Sequence, residues 1–114
     1  MNKLIVALVA VLGFSSSVQA QGNIEAGKAK SVTCTACHGE DGNSPSNLYP
    51  KLAGQHSSYL EKQLQQFKSG ERNDPIMAGM VATLSEQDMK DLSAFYASKT
   101  ANPETASTIC RFRV

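Results

Sequence analysis

The sequence predicts a small all-α domain of about three to four helices, on three observations. Apolar residues recur at helical spacing in two stretches, Leu60, Leu64, Phe67 and Met89, Leu92, Phe95, Tyr96, each behind a serine with an acid three residues on. The stretches between them are non-periodic and carry the Gly, Asn, Ser, Pro and Asp residues of loops. Between the first helical segment and the first of these loops stands Cys34-Thr35-Ala36-Cys37-His38, two thiols and an imidazole within about one helical turn.

That C-x-x-C-H run is the attachment signature of a c-type haem. Thiols at this spacing reach the two vinyl groups of one haem, so Cys34 and Cys37 are read as thioether carriers and His38 as the proximal iron ligand. The competing readings need company the chain lacks. A redox dithiol calls for a βαβ pattern, and a structural zinc site calls for a second ligand pair. The remaining cysteine is Cys110 and the remaining histidine His56.

Residues 1–20 read as a cleaved secretory leader, with Lys3, an apolar run from Leu4 to Phe14, and Val18-Gln19-Ala20 at the cleavage site. The run is shorter than the ~20 residues a bilayer span requires. Removing it from 114 residues leaves 94, one small domain whose limited core an apolar cofactor would complete. The leader takes one of 11 basic residues with it, leaving ten against ten acidic, a balance that argues against nucleic acid. Export places the domain in a periplasm-like space.

Within the mature chain, Asn23 is positioned to cap a helix running from Ile24 into the haem motif, with Glu25 in the first turn. Gly27 in this helix marks either a close backbone approach or a tolerated weak point. Gly39 to Gln55 is an ordered loop, the natural source of a carbonyl to accept from the proximal imidazole. Ser58 and Glu61 have capping-box spacing before a three-turn helix that Gly70 ends. His56, just ahead of it in a polar setting, is a weaker ligand candidate than a thioether.

Gly70 to Leu84 is again non-periodic and is read as a loop carrying Met77 and Met80. A thioether from here could meet the iron opposite His38, and spacing alone does not choose between the two. Met89 belongs to the apolar face of the last helix, which starts behind Ser85 and Asp88 and ends near Lys99.

With these residues in view, the chain resembles the class I c-type cytochromes, and more closely one haem domain of the cytochrome c4 family. The strings that carry the resemblance are C-T-A-C-H-G from Cys34, D-G-N-S-P from Asp41, Y-P-K-L-A-G-Q from Tyr49, Y-L-x-x-Q-L-x-x-F from Tyr59 and L-S-E-Q-D-M-x-D-L from Leu84. It implies a class I cytochrome c fold, with first and last helices crossing beside one covalent haem c and Gly27 meeting Leu92 and Phe95. It further implies that Pro50 offers the carbonyl for His38 and that Met77 is the axial thioether, with Met80 the alternative. Gln55, Tyr59 and Arg72 would approach the haem or its propionates.

The resulting expectation is an exported monohaem electron carrier rather than an enzyme, spanning residues 21–102, with 103–114 a poorly ordered tail. Its partners would be redox proteins such as a quinol-oxidising complex and a terminal oxidase, met transiently by a monomer without a small-molecule substrate. The rival is a haem enzyme or gas sensor with an open sixth iron position, for which Arg72 is the available distal cation. A role as a haem-bearing module of a larger complex is a second rival. Two-domain c4 proteins and the unpaired Cys110 leave three readings of the tail: a one-haem protein, a truncated or frame-shifted two-haem gene, or a thiol joining two chains.

Overall fold

The computed structural model describes residues 21–103, so the leader and Cys110 lie outside the described residues. Helix α1 covers Ile24–Lys30, α2 Thr35–His38, α3 Ser57–Ser69, α4 Pro75–Val81 and α5 Glu86–Ala97, with a 3-10 turn at Ser31–Thr33 between α1 and α2. No strand occurs among the described residues. The anticipated first helix is thus broken into three pieces before it completes the haem motif.

The framework is the crossing of α1 over α5. The Asn23 side chain accepts from Ala26 N at 3.0 Å and starts α1. Its own backbone N–H donates to Asp91 Oδ1 on α5 at 2.7 Å. A Cβ at Gly27 would overlap the Asp91 carbonyl and come within 2.8 Å of Phe95 Cβ, so glycine permits the close approach. The nearest groups are the Asp91 carbonyl and Phe95, so the expected contact with Phe95 forms. Lys30 and Asp88 add an ion pair at 2.8 Å across the same crossing.

Behind it, Leu60, Leu92, Phe95 and Tyr96 form the buried core, with Leu52, Leu64, Leu84 and Cys34 packed against it. The α5 capping box forms as expected, Asp88 N donating to Ser85 Oγ at 3.1 Å and Ser85 N to Asp88 Oδ2 at 2.9 Å. The α3 box does not form. This helix starts at Ser57, two residues earlier than a cap at Ser58 would place it, with His56 at the N-cap and no side-chain cap, so Ser58 lies inside the first turn. Gly70 ends α3 in the left-handed conformation, φ 80°.

The main correction concerns the methionine segment, which is helical rather than a loop. Asp74 caps α4 by accepting from Ile76 N and Met77 N, both at 2.9 Å, and Pro75 occupies the first turn, where its missing N–H costs nothing. None of the described helices is long and apolar enough to cross a membrane.

Candidate haem-attachment site

Cys34 closes the 3-10 turn by donating its N–H to Ser31 O at 2.8 Å. It then starts one turn of helix, in which His38 N donates to Cys34 O at 2.9 Å and Gly39 N to Thr35 O at 2.9 Å. Cys34 and Cys37 are both half-buried free thiols. Because they sit on one turn, with Cys34 against the apolar core, both thiols are available to a single flat apolar partner.

His38 is 6% exposed, and its Nδ1 lies 2.8 Å from Pro50 O. A carbonyl only accepts, so Nδ1 carries the proton and Nε2 keeps its lone pair for a metal. The Pro50 expectation thereby acquires its geometry. The loop that delivers this carbonyl is tied down at several points. Leu52 N and Ala53 N donate to Gly42 O at 2.9 and 3.1 Å, and Gly54 N donates to Tyr96 O at 3.0 Å. The buried Ser44 hydroxyl lies 3.0 Å from Cys37 O and 2.8 Å from Ser46 O, holding the loop to the end of the motif. A Cβ at Gly42, where φ is 79°, would come within 2.7 Å of Ala53 N and 2.8 Å of the Tyr96 ring. The Tyr49 and His38 rings meet at 63°, with centroids 6.4 Å apart.

Met77 and Met80 are one turn apart on α4 and differ in burial, Met77 half-buried and Met80 48% exposed. Met89 is core, 3% exposed. The remaining candidates are spread out. Gln55 is half-buried with its Oε1 accepting from His56 N at 2.9 Å, and Tyr59 is 50% exposed. Arg72 is exposed, donates to Gln63 Oε1 at 2.5 Å and stacks on Phe67 at 4.5 Å. His56 is exposed at the N-cap of α3.

Sequence reasoning passed over Tyr96 as one more apolar-face residue. The side chain is 3% exposed, and its hydroxyl makes no well-formed hydrogen bond. Burial, with Cys34 beside it, pushes this phenol well above the usual tyrosine range and keeps it protonated.

The donor set is that of haem c: two unpaired thiols and one imidazole with a free Nε2, set on one turn beside an apolar wall. No group of three or more His, Cys, Asp or Glu among the described residues could hold a bare metal ion instead.

Residues 24–99 match the family model for cytochrome c. Cytochrome c4 of Pseudomonas aeruginosa is 48% identical over 99 residues, covering 87% of this chain and 49% of that protein. Cytochrome c-554(548) of Halomonas halodenitrificans is 40% identical over 81 residues, covering 68% of this chain and 98% of that protein. The crystal structure of reduced recombinant cytochrome c4 from Pseudomonas stutzeri superposes with a TM-score of 0.68 at 44% identity, over 71% of this chain and 47% of that one. The chain spans about half the length of the c4 proteins it matches. On these matches and the geometry of Cys34, Cys37 and His38, the chain belongs to the cytochrome c family, is similar to cytochrome c4 over about half of that protein's length, and carries haem c covalently on its two motif cysteines.

Proposed function

We propose that this chain is an exported one-electron carrier, with the haem domain at residues 21–102 and its iron held between His38 and Met77. The observation that carries the reading is the 2.8 Å contact of His38 Nδ1 with Pro50 O. When bound, haem c supplies a ferric/ferrous couple. The protein's part is to keep the surroundings of that couple unchanged as it cycles. Pro50 fixes the imidazole tautomer and ring plane, so His38 Nε2 points the same way in both oxidation states. Ser44 and the Gly42 carbonyl hold the loop bearing Pro50, which limits its movement on charge transfer. The apolar wall of Leu52, Leu64, Leu84 and Phe95 excludes water and, with a thioether ligand, favours a high potential.

Met77 is the better-placed thioether because it is half-buried, whereas Met80 faces solvent. The rival reading, an enzyme or gas sensor, needs a distal polar group. Arg72, its best candidate, is engaged with Gln63 and Phe67. Work in a periplasm-like space, between partners such as a quinol-oxidising complex and a terminal oxidase, follows from the leader at residues 1–20 and the family.

Exposing the ferrous holoprotein to carbon monoxide tests the reading. A filled sixth position predicts slow, incomplete binding at neutral pH and reversible one-electron titration. Prompt stoichiometric binding would replace the carrier with the enzyme or sensor.

A further inference from the structure

The Tyr96 hydroxyl is a buried donor for which the proposed ligation has no use. Its ring is held by two neighbours and its backbone by a third. It packs at an angle of 62° against Phe95 with centroids 5.0 Å apart, it approaches Gly42 closely, and its carbonyl accepts from Gly54 N. The hydroxyl therefore has a fixed position, and it makes no well-formed hydrogen bond there. A phenol so placed loses its water without replacement, a cost that natural cores rarely leave uncompensated.

Cys34 packs against the core cluster that contains Tyr96, and with Ser31 it is the polar neighbour that acts on the phenol. Ser31 is 3% exposed and has committed its own hydrogen to Lys28 O at 2.8 Å. Cys34 changes character on haem attachment. Its S–H adds across a vinyl group, so the sulfur gains a bond to carbon and the thiol hydrogen passes to the other vinyl carbon. The sulfur that remains has lone pairs and no hydrogen. After attachment, both neighbours are acceptors and Tyr96 is the one donor among the three.

We propose that the Tyr96 hydroxyl donates to the Cys34 thioether sulfur and thereby acts as a redox-positioning group, favouring the ferrous state. The hydrogen bond draws electron density from the macrocycle's edge, and its dipole acts in a dry setting where such effects are not screened. The bond is of the weak class, so its effect is modest in size. The inference rests on haem attachment at Cys34 and on the iron cycling between two states.

The test is Tyr96→Phe in the full holoprotein, which deletes one oxygen and keeps the ring. Equilibrium redox titration should show the ferric-to-ferrous ratio at fixed ambient potential rising about two- to fivefold. Thermal stability should fall only slightly, by no more than the loss of one weak hydrogen bond. Ser31→Ala, which removes the alternative acceptor, should leave the ratio unchanged or lower it. Proton NMR of the native ferrous protein should show a slowly exchanging Tyr96 hydroxyl proton close to the Cys34 β-protons, a readout that does not depend on the variant folding. An unchanged ratio in Tyr96→Phe, or a hydroxyl proton near Ser31 rather than Cys34, overturns the proposal. Loss of reversible titration in the native protein would instead defeat the carrier reading.

Discussion

The two sides of the proposed iron site are built differently. On the histidine side, His38 is buried and hydrogen-bonded to Pro50, the adjoining loop is tied to Gly42, Ser44 and Tyr96, and α1 lies directly on α5. On the methionine side stands the seven-residue α4, in which Val81 alone is buried and Ile76 and Met80 are 62% and 48% exposed. Its start depends on one carboxylate, Asp74. The difference teaches that the two proposed ligands would differ in how readily they are lost. The imidazole should be lost only with the whole fold, whereas the thioether can leave through local opening of α4.

Gly27→Ala should have the largest effect and should break the strong side. The added methyl meets the Asp91 carbonyl, a backbone atom that cannot turn away, so α1 must lift off α5. The expected cost is about 3 kcal/mol, read as a large fall in the thermal midpoint of the holoprotein. A change below about 0.5 kcal/mol would mean that the crossing is looser than described.

Asp74→Ala probes the weak side. Two N–H groups lose their acceptor, at a cost of about 1 kcal/mol to α4. If the sides are as unequal as described, hydrogen exchange in α4 accelerates about fivefold while α5 keeps its protection. Equal acceleration in both helices would show one cooperative unit.

The smallest effect belongs to the Lys30–Asp88 pair. The Lys30 hydrogen bond, together with the Ser85 backbone N–H, holds the Asp88 carboxyl below its ordinary range. A depressed carboxylate stabilises the fold above its unfolded pKa, near 4, and the contribution is lost as pH falls through the lower folded value. The same pair raises Lys30, whose contribution is present below its ordinary value of 10.5 and is lost at higher pH. Asp88→Asn should therefore leave the stability curve flat from pH 5 to 9 and make its acid limb shallower. High salt should shrink the native contribution, as expected of an exposed pair.

Much of the strong side was legible because its signals are local and chemical. C-x-x-C-H names its own partners, and Ser85 with Asp88 is a capping box in sequence and in structure. Gly27 was legible as a choice between two readings, and only the backbone of α5 decides it. The weak side was misread for a physical reason. Pro-Ile-Met-Ala-Gly-Met-Val has no polar face, so no helical periodicity shows, and its glycine and proline suggest a loop. The usable signal was Asp74-Pro75, a cap followed by a residue preset for the first turn. At α3 the capping-box spacing of Ser58 and Glu61 placed the start two residues late, because the helix begins at Ser57 behind His56 without any side-chain cap. Tyr96 was hidden because a phenol on an apolar face differs from a phenylalanine only once its neighbours are known.

The central claim is that Met77 completes the iron site, and optical spectroscopy of the ferric protein tests it most directly. The weak far-red sulfur-to-iron band should be present in the native protein, persist in Met80→Ala and vanish in Met77→Ala, with carbon monoxide then binding the ferrous form promptly. A band that survives Met77→Ala, or is absent from the native protein, would contradict the account.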